Sequence, residues 1–216
     1  MASRNLCFDF DGTLIDSRHD IAAAVNELRD RMGLSQLSVA EVAKAIGSGT
    51  YELVEKTFPL EDVDDVESLI EKFREIYIDL CTDNVRPYDK IPALLETLNN
   101  DRLAIVTNKP VNMTQSILSR LEWSERFDPV YGPHSFERGK PDPRPLEAVQ
   151  EQWDVPISDL VMIGDSWTDI RAGNALGCRT VACLYGLGNS DETLDEEPDI
   201  IVESVKELHD TIRTFS

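Results

Sequence analysis

Basic residues are scarce in this chain. Its 216 residues hold 41 Asp and Glu against 21 Lys and Arg, with three His, for a formal net charge of −20. With a pI near 4.4, such a balance argues against nucleic acid and anionic membrane as partners. It also means that an anionic substrate needs a cation or local basic groups where it binds. Cysteine is sparse too: Cys7, Cys81, Cys178 and Cys183 lie far apart and form no CxxC pair. Cys7 and Cys183 fall in apolar, strand-like runs and read as reduced core thiols of a cytoplasmic protein. His19, His134 and His209 have no metal-ligand spacing. No apolar run is long enough to cross a bilayer. The start Met1-Ala2-Ser3-Arg4 leads into a short strand-like run, unlike a signal peptide. There are no internal repeats or low-complexity tracts. What remains is an ordinary globular composition, 41% hydrophobic and 7% aromatic, long enough for one core domain plus a small second one.

The pattern along the chain changes twice. Residues 4–9 read as a buried strand, short and apolar between polar flanks. From 16 to 83 the periodicity is helical with no convincing strand. Ile21, Ala24, Val25 and Leu28 recur at helical spacing with Gly33 as a stop. A second helix is predicted from an Ser38 cap with Glu41 three residues on, running to Ile46 and ended by Gly47-Ser48-Gly49. A third is predicted over 50–58 and a fourth from Val63 to about Leu80. This stretch carries 16 acidic and 7 basic residues, a net −9. Beyond Pro87, strands predicted at 103–107, 160–164, 180–184 and 200–202 alternate with helices near 91–100, 112–121, 144–152, 168–176 and 204–214. Alternation of this kind implies a parallel sheet with right-handed crossovers. The predicted fold is therefore α/β: a Rossmann-like core of 1–15 and 84–216, with 16–83 inserted as an all-helical unit. The acidic stretch Asp191–Asp199 reads as a solvated loop.

Three polar segments fall where predicted strands end: Asp9-Phe10-Asp11-Gly12-Thr13, Thr107-Asn108-Lys109 and Gly164-Asp165-Ser166-Trp167-Thr168-Asp169. Alternation along a strand would aim Asp9 and Asp11 at one site while Phe10 turns away. Gly12 would let backbone N–H groups approach an anion. Ligands of open parallel sheets bind beyond the carboxyl ends of the strands, so segments far apart in sequence would converge there. A fourth segment, Gly139-Lys140-Pro141-Asp142-Pro143, precedes a predicted helix. Taken singly each has a plainer reading: an Asp-Gly turn, a strand-end cap at Thr107-Asn108, a helix cap at Asp165-Ser166, a solvated Lys140. Their order and common placement at strand ends carry the functional reading.

These segments, DFDGTLIDS (9–17), TN (107–108), GKPDP (139–143) and GDSWTD (164–169), resemble the haloacid dehalogenase superfamily over essentially the whole length. The similarity is to its phosphatase branch with a helical cap, and within that to phosphoglycolate phosphatases. The resemblance implies that Asp9 is a nucleophile forming an aspartyl-phosphate, and that Asp11 protonates the leaving alkoxide and then activates water. It implies Mg²⁺ held by Asp9 and Asp165 carboxylates and the Asp11 carbonyl, with Asp169 anchoring the ion or its waters. Thr107, the Asn108 backbone and Lys140 would hold the phosphoryl oxygens. An Asp two residues after the nucleophile points to phosphate-ester hydrolysis or phosphomutase chemistry, since dehalogenases lack it and the ATPases carry Thr.

The expected substrate is a small phosphorylated metabolite, foremost 2-phosphoglycolate, and the expected assembly a monomer or homodimer. A pyrophosphatase or a broad sugar- or nucleotide-phosphate phosphatase would use the same core. A β-phosphoglucomutase-like enzyme would carry a basic residue on the cap loop, where this chain has Ile46-Gly47-Ser48-Gly49-Thr50. A catalytically idle interaction module on this fold would be expected to have lost one of Asp9, Asp11, Lys140 or Asp165. Gly47, Ser48 and Gly49 precede a predicted helix and could form an anion-binding nest for a substrate carboxylate, with Lys44 assisting. The same residues also read as a plain helix–helix turn.

Overall fold

Every residue of Asn5–Phe8, the first strand (β1), is buried, because its two faces serve two cores. Leu6 and Phe8 join one apolar cluster, while Cys7 joins another with Ala104, Val106, Leu160 and Met162. Consecutive apolar positions on a strand need cover on both sides, as in a parallel sheet with helices on each face. The computed structural model describes residues 3–47, 49–60, 65–133 and 135–215.

From β1 the chain runs through β2 (Ile15–Asp16), α1 (Arg18–Arg31), α2 (Val39–Ala43), α3 (Thr50–Thr57), α4 (Val66–Leu80) and β3 (Arg86–Pro87). It continues with α5 (Ile91–Thr97), β4 (Arg102–Val106), α6 (Val111–Arg120), β5 (Val130–Tyr131) and α7 (Arg144–Trp153). The last third holds β6 (Leu160–Gly164), α8 (Trp167–Leu176), β7 (Arg179–Cys183), α9 (Ser190–Leu194), β8 (Ile200–Val202) and α10 (Val205–Ile212).

Six strands form one sheet in the order β5-β4-β1-β6-β7-β8, every pair parallel. The chain builds outward from β1 on one side through β4 and β5, then crosses to build β6, β7 and β8 on the other. The order therefore reverses at β1, which opens a crevice at the carboxyl ends of β1, β4 and β6. The fold is α/β, with a parallel sheet flanked by helices.

Helices α1 to α4 lie between β2 and β3, which pair antiparallel as Ile15 with Pro87 and Asp16 with Arg86. The outgoing and returning chain thus run side by side. Buried Asp20, in the first turn of α1, accepts hydrogen bonds from the Asn84 N–H at 2.9 Å and the Val85 N–H at 2.8 Å. That carboxylate fastens the return to the exit.

Several sequence expectations change. The second helix ends at Ala43, and a turn follows to Ile46. Its start agrees: Ser38 and Glu41 form the reciprocal cap. The predicted start of the fourth helix, Val63, lies outside the described residues, and α4 runs from Val66 behind an Asp65 cap. Asp191–Asp199 is not a plain solvated loop. Asn189 caps α9, Glu196 pairs with Arg171, and the Asp199 carboxylate accepts from the Thr180 N–H at 2.9 Å.

Candidate active site

The ladder of β1 continues one residue past the strand, where the Asp9 N–H donates to the Ile163 carbonyl at 2.8 Å. This holds Asp9 at the centre of the crevice. Phe10 is fully buried on the other side. Asp9 accepts a hydrogen bond from Lys140 Nζ at 2.7 Å, and the same ammonium reaches Asp169 Oδ1 at 2.5 Å. Asp165 is buried beside them, and one oxygen from each of Asp9, Asp165 and Asp169 falls within 4.8 Å of the others.

Each carboxylate is held from behind. Asp165 Oδ1 accepts from the Thr13 hydroxyl at 3.0 Å, and Oδ2 from the Leu187 and Gly188 N–H groups at 2.8 and 2.9 Å. Asp169 is the third residue of α8 and shares a capping box with Ser166, whose N–H lies 2.9 Å from its Oδ2. The helix-cap reading is therefore true of this segment, and the same segment brings Asp165 and Asp169 beside Asp9. Gly12 has φ +91°, and a Cβ there would come 2.0 Å from Asp165 Oδ2. Only glycine fits so close an approach. Its N–H donates to the Ile15 carbonyl at 2.9 Å, and its lack of a Cβ makes room for Asp165.

Burial dominates the electrostatics. It pushes the Asp9 carboxyl up to about 8, with Lys140 opposing and Asp169 and Asp165 adding. It pushes Asp165 up to about 6, with Asp169 adding. Burial alone would lower the Lys140 ammonium, but Asp169 and Asp9 together raise it. Three buried carboxylates facing one lysine leave an excess of negative charge that a hard divalent cation would offset, and an all-oxygen donor set suits such an ion.

In front of Asp9 lies a cavity of about 60 Å³. Asp9, Asp11, Thr107, Asn108 and Lys109 form its floor, and Gly47, Gly49, Ile46, Leu53, Phe73 and Tyr77 are among its roof residues. The Asn108 amide donates to the Lys140 carbonyl at 3.0 Å, linking two expected segments. Asp11 accepts from Ser17 Oγ at 2.5 Å and from Lys109 Nζ at 3.2 Å. Lys140, Asp165 and Asp169 do not line this cavity but stand behind Asp9. Of the expected nest, Gly47 and Gly49 line the roof and Ser48 lies outside the described residues. Lys44 is the C-cap residue of α2 and does not line the cavity.

Sequence reading missed the contributions of Lys109 and Tyr77. Lys109 follows directly on Thr107-Asn108, and Tyr77 is one polar tip on the apolar face of α4, stacked on Phe73 with centroids 5.5 Å apart.

Comparison with known proteins gives this geometry a family. The family described as haloacid dehalogenase-like hydrolase matches residues 6–183. The chain belongs to that family.

A relative of this hydrolase, N-acetylmuramic acid 6-phosphate phosphatase of Pseudomonas aeruginosa, is 34% identical over 98% of the chain and 96% of its own length. Phosphoglycolate phosphatase of Xylella fastidiosa is 31% identical over 93% and 89%. A crystal structure of a predicted phosphoglycolate phosphatase from Haemophilus somnus superposes with a TM-score of 0.89 at 26% identity, covering 97% of this chain and 98% of that one. The hydrolase is a phosphatase of the haloacid dehalogenase-like family. No helix among its described residues is long and apolar enough to cross a membrane.

Proposed function

We propose that this protein is a Mg²⁺-dependent phosphomonoester phosphatase that works through an aspartyl-phosphate, with 2-phosphoglycolate as its foremost substrate. The observation that carries this reading is the placement of Asp9 and Asp11 on one cavity floor, each with its own lysine. An Asp9 oxygen attacks phosphorus as the ester P–O bond breaks, and Asp11 donates its proton to the departing alkoxide. Water then attacks the phosphorus of the aspartyl-phosphate. Asp11 accepts the water's proton, and inorganic phosphate leaves with Asp9 restored. Lys140 opposes the burial that raises Asp9 and offsets charge on the phosphoryl group. Thr107 and Asn108, at the end of β4, position the phosphoryl oxygens. Asp9, Asp165 and the Asp11 carbonyl would hold Mg²⁺, with Asp169 behind them. The bound ion supplies charge neutralisation for a dianion facing a carboxylate.

Helices α1 to α4 serve as the cap that shields the aspartyl-phosphate from bulk water. The cap loop has no basic residue at Ile46-Gly47-Ser48-Gly49-Thr50, which weighs against a mutase. A second reading, an N-acetylmuramic acid 6-phosphate phosphatase, is favoured by the relative of that name at 34% identity. Both compounds join a phosphomonoester to a carboxylate. A phosphate-release assay over 2-phosphoglycolate, N-acetylmuramic acid 6-phosphate, glucose 6-phosphate, pyrophosphate and p-nitrophenyl phosphate tests the proposal. Mg²⁺-dependent turnover highest on 2-phosphoglycolate is expected. Highest turnover on the muramic acid ester selects the second reading, and no phosphate release from any ester overturns both.

A further inference from the structure

A groove of about 260 Å³ lies beside the catalytic cavity and shares Gly49, Thr50 and Asn108 with it. Lys140 and Gly139 form part of one wall, and Arg74 of α4 forms part of the other. Arg74 differs from the other two cations that line the cavity and the groove, Lys109 and Lys140. Lys140 is paired with Asp9 and Asp169, and Lys109 with Asp11. Arg74 enters no ion pair or hydrogen bond among the described residues, and its Nε is buried without a partner. Glu67, two turns earlier on α4, lines the same groove without forming an ion pair to it.

What sets this guanidinium apart is that its Nε is buried without an acceptor, in a chain of net charge −20 where carboxylates are the commonest neighbours on offer. A buried N–H donor without an acceptor is costly, and an arriving anion relieves that cost. Guanidinium groups present a planar fork that matches carboxylate and phosphate oxygens. The backbone adds to this. Helix α3 starts at Thr50 with no side-chain cap from Gly49, so its first N–H groups bring partial positive charge to the same wall.

We infer that Arg74 binds a second anionic group, a carboxylate on the leaving part of the substrate, in this groove. The inference rests on the phosphatase reading above and assigns the residue that selects among its substrates. The phosphoryl group would occupy the cavity before Asp9, and the remainder of the molecule would pass Gly49 and Asn108 to reach Arg74. Arg74 is thus a specificity-determining residue and takes no part in phosphoryl transfer. It is the cap cation that the loop at 46–50 does not supply.

The test is steady-state kinetics of wild type, Arg74→Gln and Arg74→Lys on three esters: 2-phosphoglycolate, N-acetylmuramic acid 6-phosphate, and p-nitrophenyl phosphate, which has no carboxylate. Circular dichroism establishes that the variants fold. For Arg74→Gln, KM should rise at least ~10-fold on a carboxylate ester, with a much smaller change in kcat, because uniform binding energy is lost. The ratio of its kcat/KM to that for p-nitrophenyl phosphate should fall by the same factor, and Arg74→Lys should recover part of it. A response confined to 2-phosphoglycolate identifies a two-carbon acid, and one confined to the muramic acid ester identifies a longer leaving group. Equal losses on all three esters, or no change in the ratio, overturn the inference while leaving the phosphatase reading intact. A wild type inactive on every ester overturns both.

Discussion

Lys109 Nζ lies 3.2 Å from Asp11 Oδ1, and the hydroxyl of Tyr77 accepts a hydrogen bond from the same ammonium. Three segments meet in this contact: the loops after β1 and β4, and helix α4 from the helical insertion. Burial alone would lower the Lys109 ammonium, yet Asp11 and Tyr77 together raise it above its ordinary value. The lysine is charged and has little freedom to move. Its position ties the proposed general acid to the roof of the cavity.

Replacing Lys109 by Met should therefore slow turnover more than it weakens binding. Asp11 would keep the Ser17 hydrogen bond but lose its cation and its fixed orientation. A fall in kcat of about 10- to 100-fold is expected, within the range general acid–base catalysis supplies. Tyr77→Phe removes only the hydroxyl and should cost much less. Steady-state kinetics on p-nitrophenyl phosphate measure both, and wild-type kcat in Lys109→Met would show that the lysine does not position Asp11.

The two aspartates themselves should fail differently. Asp9→Asn should abolish turnover with the fold intact, since an amide neither attacks phosphorus competently nor binds a hard cation well. Asp11→Asn should lower turnover by about 10²- to 10⁴-fold through loss of proton transfer. Any aspartyl-phosphate formed in it should hydrolyse slowly and accumulate. Rapid-quench trapping of acid-stable protein-bound phosphate separates the variants. Near-normal turnover in either removes it from the mechanism.

Much of this site is legible in the chain because local chemistry forces it. Asp9 and Asp165 sit at strand ends, Lys140 just before a helix and Asp169 in the first turn of one, and five of the sheet's six strands announce themselves as apolar runs. β5 does not, because two residues between Pro129 and Gly132 carry no period. They become a strand only because β4 pairs with them, with the Thr107 N–H donating to the Tyr131 carbonyl. Lys109 is illegible for a similar reason. A lysine after a strand is solvated by default, and here the cover comes from Tyr77, more than thirty residues earlier. Arg74 reads as the polar side of an amphipathic helix until its neighbours in space are known.

Metal binding should strengthen as the pH rises. Burial first, then neighbouring carboxylates, hold Asp9 at about 8 and Asp165 at about 6, against 3.8 for a free aspartate. Acids raised in this way bind extra protons in the folded state. Their contribution to the stability of the metal-free protein is full below about pH 4 and is lost as the pH climbs through about 6 and then about 8. Mg²⁺ needs those carboxylates ionised and competes with their protons. The rise in Tm on adding Mg²⁺ should therefore be larger near pH 8 than near pH 5. In Asp165→Ala it should largely disappear at both. A Mg²⁺ shift independent of pH, or one retained in Asp165→Ala, would place the ion elsewhere.

Selectivity should also depend on the roof at Gly49. Its φ of +104° with extended ψ is a conformation that residues with a Cβ rarely adopt, and a Cβ there would lie 3.7 Å from the Asn108 Cβ. The steric room is ordinary for one methyl group and insufficient for an isobutyl group against the core. Gly49→Ala therefore isolates the backbone strain, about 1–3 kcal/mol for such a conformation, while Gly49→Leu adds bulk between roof and floor. If the first N–H groups of α3 help receive a substrate carboxylate, Gly49→Leu should raise KM for 2-phosphoglycolate far more than for p-nitrophenyl phosphate, and Gly49→Ala should fall between it and wild type. Thermal melts of the two variants separate loss of fold from loss of recognition. Equal losses on both esters at matched stability would mean that the loop only closes the cavity and leaves selection to other residues.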